Sequence, residues 1–184
     1  MNLPNKLSML RIFMIPFFVG FALVDAQWAQ YVALGIFIAA SLTDTLDGQI
    51  ARRRGLITNF GKFIDPIADK LLVMSALVVL VSQGRMPAWV CILMLAREFA
   101  ISGFRLVAAN AGTVIAAAWL GKVKTVTQML AVILLLLLVP VSGAPLLGTA
   151  GAIVAQVVMY VSAFMTVWSG VDYIVKNFSC ISDM

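Results

Sequence analysis

Four aspartates lie in one short stretch of an otherwise apolar chain. Asp44 and Asp47 are three positions apart and Asp65 and Asp69 are four apart, so each pair shares one face of a helix. They make up half of the eight acidic residues. Four carboxylates at close range repel one another unless a cation neutralises them. Oxygen ligands without histidine or cysteine suit hard divalent ions, so the stretch predicts a site for one or two Mg²⁺ or Mn²⁺ ions.

Small residues and an arginine accompany the aspartates. Gly48, Ala51 and Gly61 each stand one helical turn from an aspartate. Because these residues have little or no side chain, they leave room for a ligand to lie against the backbone. Arg52 follows at the predicted helix end, where a guanidinium is suited to bidentate contact with phosphate.

The composition predicts an integral membrane protein. Of the 184 residues, 62% are apolar and 11% are charged, and the mean hydropathy is +1.04. Soluble domains carry about 25% charged residues. The net charge of +5 comes from cations spread over predicted loops and helix ends, which favours topogenic charge over nucleic-acid binding. The length predicts a single domain over residues 1–184.

The chain contains no histidine, which limits its chemistry. Ser-His and Cys-His nucleophiles are excluded, and a general base near neutral pH has to be a carboxylate, a perturbed lysine or tyrosine, or water. Cys91 and Cys180 show neither metal-ligand spacing nor a disulfide framework, so both are interpreted as small apolar residues.

Hydropathy predicts an all-α membrane bundle of six transmembrane helices, preceded by a short N-terminal interfacial segment around Pro4. The first span is predicted to be retained, because the residues after it make a poor cleavage site. The connector 110–122 could either lie flat on the membrane or extend a neighbouring helix. The six predicted spans cover residues 11–24, 30–51, 64–82, 88–109, 123–139 and 151–175.

The cations predict the orientation of these spans. The N-terminus, the 52–62 connector and the 105–124 region hold most of the lysines and arginines, whereas the opposite connectors hold only Arg85. Positive loops stay in the cytoplasm. Both termini and the aspartate-rich stretch are therefore expected on the cytoplasmic side.

The charged stretch matches a specific motif. Its fixed positions read Asp44-x2-Asp47-Gly48-x2-Ala51-Arg52-x8-Gly61-x3-Asp65-x3-Asp69. Eight fixed positions make this pattern far more specific than a short glycine motif. The pattern resembles the signature of the CDP-alcohol phosphotransferase family.

The resemblance implies a six-helix membrane enzyme, a homodimer, with a two-metal site open to the cytoplasm. Such enzymes displace CMP from a CDP-linked lipid with an alcohol acceptor. It implies that the four aspartates hold the metals and that Asp69 also takes the proton of the acceptor hydroxyl. The residues implied to contact the CDP-lipid are Asn5, Gly48, Ala51, Arg52 and Gly61.

Segments outside the motif bear on the acceptor. Three segments resemble a bacterial branch of the family that takes CDP-diacylglycerol and glycerol 3-phosphate, namely residues 2–18, 97–128 and 169–177. This resemblance implies a location in the bacterial cytoplasmic membrane. Arg97 and Arg105 lie about 80° apart around one helix, and Lys124 opens the next span from the same side. Together they predict a site for the acceptor phosphate. Glu98, seven positions before Arg105, could orient that guanidinium.

Two alternatives stay open at this point. A family member could use another phosphorylated acceptor, such as inositol phosphate. From a different class, the carboxylates could form the ion pathway of a cation or proton transporter. Transport sites favour the bilayer midplane, whereas these aspartates border an arginine-rich cytoplasmic loop, so the position favours an enzyme.

Overall fold

The fold is all-helical in the part of the chain that the structure, a computed structural model, describes. It describes the backbone of residues 3–54, 59–110, 115, 118–143 and 145–177, and the side chains of residues 6–43, 64, 66–68, 70–109, 115, 118–143 and 145–177. These ranges contain six helices and no strand. The helices are α1 Leu3–Ala22, α2 Gln27–Arg54, α3 Asn59–Ser82, α4 Ala88–Asn110, α5 Trp119–Leu138 and α6 Gly148–Asn177.

The helix bounds confirm the predicted helices and correct their starts. The chain from Leu3 to Ala22 forms one helix, so the N-terminal segment is continuous with the first predicted span, and its position at the membrane interface stays a prediction. Pro4 lies in the first turn of this helix, where a missing N–H breaks no hydrogen bond. In the connector 110–122, the residues from Trp119 onward extend α5. Five of the six helices begin earlier than hydropathy predicts, because residues outside the apolar run continue the helical backbone, and α4 begins at the predicted residue.

A tight turn joins α3 to α4. Gly84 has φ of 68°, a left-handed conformation that costs glycine nothing. The N–H of Gly84 donates to the carbonyl of Val81 at 3.0 Å, and the N–H of Arg85 donates to that of Leu80 at 2.9 Å. These bonds satisfy carbonyl groups at the end of α3, so the chain reverses direction within a few residues.

Two groups of helices form the bundle. α1 packs on α2 and α3, while α6 packs on α4 and α5, and α2 also contacts α5. Phe18 of α1 and Phe37 of α2 are fully buried with ring centroids 5.7 Å apart. The buried core continues through Leu77 of α3, Met94 of α4 and Met159 of α6. The core thus fixes the relative positions of the helices that carry the charged residues.

Many large apolar side chains face outward. Phe13 is 63% exposed, Ile92 is 66% exposed and Val175 is 70% exposed, on three different helices. By length and composition, α5 and α6 could each cross a membrane, in the ranges the structure describes. An outward apolar surface of this kind is what contact with lipid chains requires. The fold is thus consistent with a membrane protein, while the six-span arrangement stays a prediction.

Candidate active site

The predicted metal site spans two neighbouring helices. Asp44 and Asp47 belong to α2, Asp65 and Asp69 belong to α3, and these two helices are in contact. The helical backbone that their spacing requires is therefore present. The side chains of all four lie outside the described residues. The same holds for the predicted CDP-lipid residues, which are Asn5, Gly48, Ala51, Arg52 and Gly61.

A cavity of about 390 Å³ lies beside this region. Pro66 and Lys70, the chain neighbours of Asp65 and Asp69, form part of its wall. The segment of α3 that carries both aspartates therefore runs along the cavity. Arg11 of α1 also lines it, and its Nε donates to the carbonyl oxygen of Ala40 at 3.3 Å. The cavity combines charged groups with an apolar wall of leucine, valine and methionine side chains.

A second cavity of about 230 Å³ lies between α3, α4, α5 and α6. It shares Lys70, Glu98, Arg105 and Thr125 with the larger cavity. Its described wall contains four cations and one carboxylate, together with several hydroxyl groups. The cations are Lys70, Arg97, Arg105 and Lys122. This excess of positive charge suits a small anion with more than one negative charge.

Glu98 holds two of the predicted phosphate-binding cations. Lys124 is 2% exposed, and its Nζ donates to Oε1 of Glu98. The Nη1 of Arg97 donates to the same oxygen at 3.2 Å. A buried ammonium needs such a partner, because an uncompensated buried charge costs several kcal/mol. Glu98 thus contacts Arg97 and Lys124, and Arg105, which it was expected to orient, has a different partner.

Helix α6 contacts Arg97 at two neighbouring residues. The Nη2 of Arg97 donates to Oγ of Ser169 at 3.1 Å. At Gly170 an added Cβ would lie 3.2 Å from Cγ of Arg97, so the arginine stem passes directly over the glycine backbone. Both terminal nitrogens of Arg97 therefore have protein partners. This arginine is fixed within the bundle.

Arg105 of α4 is held by an aromatic residue of α6. Its Nε donates to the hydroxyl oxygen of Tyr173 at 3.1 Å, and its Cζ lies 5.6 Å from the Tyr173 ring centroid. Tyr173 is 3% exposed, and its ring packs edge-on against Phe104 at 5.7 Å. Arg105 is itself exposed and lines both cavities. It is therefore the predicted phosphate-binding residue most accessible to a soluble anion.

Lys70 belongs to the site but was not predicted from the sequence. Its Nζ donates to Oγ of Ser102, and that hydroxyl donates to the backbone carbonyl of Glu98 at 2.6 Å. Lys70 lines both cavities. Its signal was present, because it is a charged residue inside the predicted span 64–82, the same property that singled out Arg97 in its own span. Ser169 and Tyr173 carried no comparable signal.

The chain belongs to the CDP-alcohol phosphatidyltransferase family, whose model matches residues 1–168. It is similar to the CDP-diacylglycerol--glycerol-3-phosphate 3-phosphatidyltransferase of Bacillus subtilis (strain 168), with 42% identity over 98% of this chain and 97% of that protein. Proteins of the same name match from Rickettsia felis, at 38% identity over 94% and 93%, and from Sodalis glossinidius, at 40% identity over 95% and 93%. The family predicted from the aspartate motif is confirmed.

Proposed function

We propose that the chain transfers the phosphatidyl group of CDP-diacylglycerol to sn-glycerol 3-phosphate and releases CMP. The observation that carries this proposal is the smaller cavity, where four cations face one described carboxylate. An acceptor with a phosphate group needs such a cluster, whereas serine, ethanolamine or choline does not. The relatives named for this reaction match nearly the whole chain, including the helices that form the cavity.

The four aspartates fit a pair of Mg²⁺ or Mn²⁺ ions by the chemistry of their oxygen ligands, which come from two helices in contact. When bound, such ions neutralise the negative charge of the diphosphate. Asn5, Gly48, Ala51, Arg52 and Gly61 are proposed to bind the CDP end of the lipid. Arg52 would pair with a phosphate oxygen, and the small residues would leave room for the nucleotide.

In the proposed reaction, Asp69 acts as the general base. The acceptor hydroxyl oxygen forms a bond to the phosphorus that carries diacylglycerol, and the bond from this phosphorus to the CMP oxygen breaks. The hydroxyl proton passes to the Asp69 carboxylate. Lys70, the next residue, lines both cavities, so an acceptor phosphate held there would stay close to the Asp69 segment. Holding the acceptor in this way lowers the entropic cost of the reaction.

The phosphate-binding cations divide into two groups. Arg105, Lys70 and Lys122 are proposed to contact the acceptor phosphate directly, since they line the smaller cavity. Arg97 and Lys124 are held by Glu98, and they contribute positive potential and fix the wall. The site thus combines cations that can contact the phosphate with cations that are paired to Glu98.

We also propose that the six helices span the cytoplasmic membrane as a homodimer, with the active site on the cytoplasmic side. The outward apolar side chains and the distribution of cations support this orientation. Single cysteines placed at Lys6 and at Asp25, both exposed, test it in a background without the native cysteines. An impermeant thiol reagent added to intact cells should label the Asp25 site alone. Labelling at the Lys6 site would contradict the proposed orientation and indicate the opposite one.

The proposed dimer is tested by light scattering in detergent. The protein should have the mass of two chains, and the mass of one chain would contradict the dimer.

The proposed reaction is tested with purified protein, CDP-diacylglycerol and Mg²⁺ or Mn²⁺. Glycerol 3-phosphate should yield phosphatidylglycerophosphate and an equal amount of CMP, measured by mass spectrometry. Inositol phosphate should yield no product. The variant Asp69→Asn should lose turnover by a factor of about 10²–10⁴ while it still binds CDP-diacylglycerol. Faster transfer to inositol phosphate than to glycerol 3-phosphate would contradict the proposed acceptor. Near-normal turnover of Asp69→Asn would contradict the assignment of Asp69 as the general base.

A further inference from the structure

Arg105 is an exposed residue with a long side chain that is nevertheless held in one orientation. A free arginine loses rotamer entropy when a ligand immobilises it. A residue that orients the guanidinium in advance reduces this cost and so raises the affinity for the ligand. The partner of Arg105 therefore bears on acceptor binding, although it need not touch the acceptor.

Tyr173 has the geometry of such a partner. Its ring is 3% exposed and is fixed by the edge-on contact with Phe104, so the hydroxyl oxygen has a defined position. That oxygen accepts from Nε of Arg105 at 3.1 Å, and the ring lies 5.6 Å from Cζ. Because Nε is occupied, the guanidinium is left with Nη1 and Nη2 as a parallel pair of donors. A parallel pair is the arrangement that binds two phosphate oxygens at once.

Arg97 has the opposite arrangement, in which the protein uses both terminal nitrogens of the guanidinium. Its Nη1 donates to Glu98 and its Nη2 donates to Ser169, so its parallel pair is used by the protein. Helix α6 thus contacts both arginines of α4, but at different nitrogens. Ser169 occupies the end of one guanidinium, and Tyr173 leaves the end of the other accessible to the cavities.

We infer that Tyr173 is a positioning residue for the acceptor phosphate. It orients Arg105 so that Nη1 and Nη2 face the cavity, and it thereby sets the affinity for the phosphorylated acceptor. This inference rests on the proposed function, since it assumes that the anion in the cavity is the phosphate of glycerol 3-phosphate.

The test compares Tyr173→Phe with the wild-type enzyme. Phenylalanine keeps the ring and its contact with Phe104 but removes the oxygen that accepts from Nε. The KM for glycerol 3-phosphate should rise about five- to tenfold, the effect of losing one hydrogen bond to a charged group. The KM for CDP-diacylglycerol and kcat should change less than about twofold. A merely structural role for Tyr173 would instead change both KM values and kcat together.

The matched control is Tyr160→Phe. Tyr160 lies on the same helix and is exposed, and its ring stacks on Trp89 at 6.2 Å rather than on a cation. This variant should leave both KM values unchanged. A second measurement is the double variant Tyr173→Phe with Arg105→Lys, which should raise the KM no further than Arg105→Lys alone, because lysine has no Nε donor to lose.

The possible outcomes separate the two claims. If wild-type protein makes no product from glycerol 3-phosphate, the proposed function fails. If the wild type is active but Tyr173→Phe leaves its KM for glycerol 3-phosphate within about twofold, the inference alone fails. An equal rise in both KM values, or additive effects in the double variant, would overturn it as well.

Discussion

Two buried cations of this bundle meet very different surroundings. Lys124 is 2% exposed and donates to Glu98, in a cluster where Arg97 and Arg105 also have protein partners. Arg85 is 4% exposed in the turn before α4, and its three guanidinium nitrogens are buried without a hydrogen-bond partner among the residues that the structure describes. Buried charge is thus compensated beside the cavities and uncompensated in the turn.

The comparison teaches that burial alone does not identify a functional cation. Beside the cavities, a carboxylate and two hydroxyl groups fix the cations in defined positions, which is what binding an anion requires. In the turn, burial lowers the pKa of Arg85 to about 10, because removal from water disfavours the charged form. Arg85 lines neither of the two cavities described above. We therefore expect changes at the two places to have opposite effects on stability.

The largest effect is expected for Glu98→Ala. This change leaves Lys124 buried without its carboxylate and removes one partner of Arg97. The free energy of unfolding should fall by about 3–5 kcal/mol, measured by thermal unfolding in detergent. Asp172→Ala is the matched control, because its pair with Lys176 is exposed and should contribute less than about 1 kcal/mol. Equal midpoints for both variants would contradict the role of Glu98.

Arg105→Ala should mainly affect binding of the acceptor. It removes the accessible guanidinium from both cavities, so the KM for glycerol 3-phosphate should rise on the order of a hundredfold. The KM for CDP-diacylglycerol should stay the same. Steady-state kinetics with each substrate varied in turn measures both values. A similar rise in the two would show that Arg105 supports the fold and not the acceptor.

Arg85→Met should stabilise the protein, whereas Glu98→Ala should destabilise it. Methionine fills a similar volume without a buried, unpartnered charge, so the free energy of unfolding should rise by about 1–3 kcal/mol with activity unchanged. Thermal unfolding in detergent checks it. A loss of stability would mean that a group from outside the chain pairs with Arg85 in the folded protein.

The same variant predicts a dependence on pH. The pKa of Arg85 is about 10 in the folded protein, below its ordinary value, so from about pH 10 up to that ordinary value the unfolded chain binds more protons. The wild type therefore gains stability as the pH rises through this range. The advantage of Arg85→Met should shrink as the pH rises above about 10. An advantage that grows over this range would contradict the assigned cost of burying the charge.

The smallest effect is expected for Gly170→Ala. The added Cβ would lie 3.2 Å from Cγ of Arg97, so the arginine stem has to move by a few tenths of an ångström. Gly35→Ala is the control, since its Cβ would meet nothing within 4 Å. Relative to this control, Gly170→Ala should lose about 1 kcal/mol of stability in thermal unfolding. Identical stabilities would show that α6 does not constrain Arg97.

The sequence was a good guide to the helices and to part of the site. Hydropathy predicted six helices because each apolar run continues into the observed helix, and its errors lie at helix ends such as residues 3–10 of α1. The family followed from the aspartate motif. The pairing of Glu98 could not be predicted, because its spacing from Arg105 suggested a contact within α4, whereas its partner Lys124 comes from α5. Such contacts depend on how helices pack.

The burial of Arg85 could not be predicted from the sequence either. Connectors between helices are normally exposed, and a single arginine in one reads as a surface charge. Only the tight turn at Gly84, which folds the chain back onto α3, places the guanidinium in the interior. Conversely, Lys70 carried the signal of a charge within a span, although the site predicted from the sequence did not include it.

The central claim is that the cationic cavity beside α4, α5 and α6 selects an acceptor that carries a phosphate. The most direct measurement compares glycerol 3-phosphate with glycerol as acceptors for the purified enzyme, by their kcat/KM values with CDP-diacylglycerol. We predict a preference for glycerol 3-phosphate on the order of 10³ or more, since the described wall of the smaller cavity holds four cations and one carboxylate, an excess of positive charge that only the phosphate balances. Comparable kcat/KM values for the two acceptors would contradict the account.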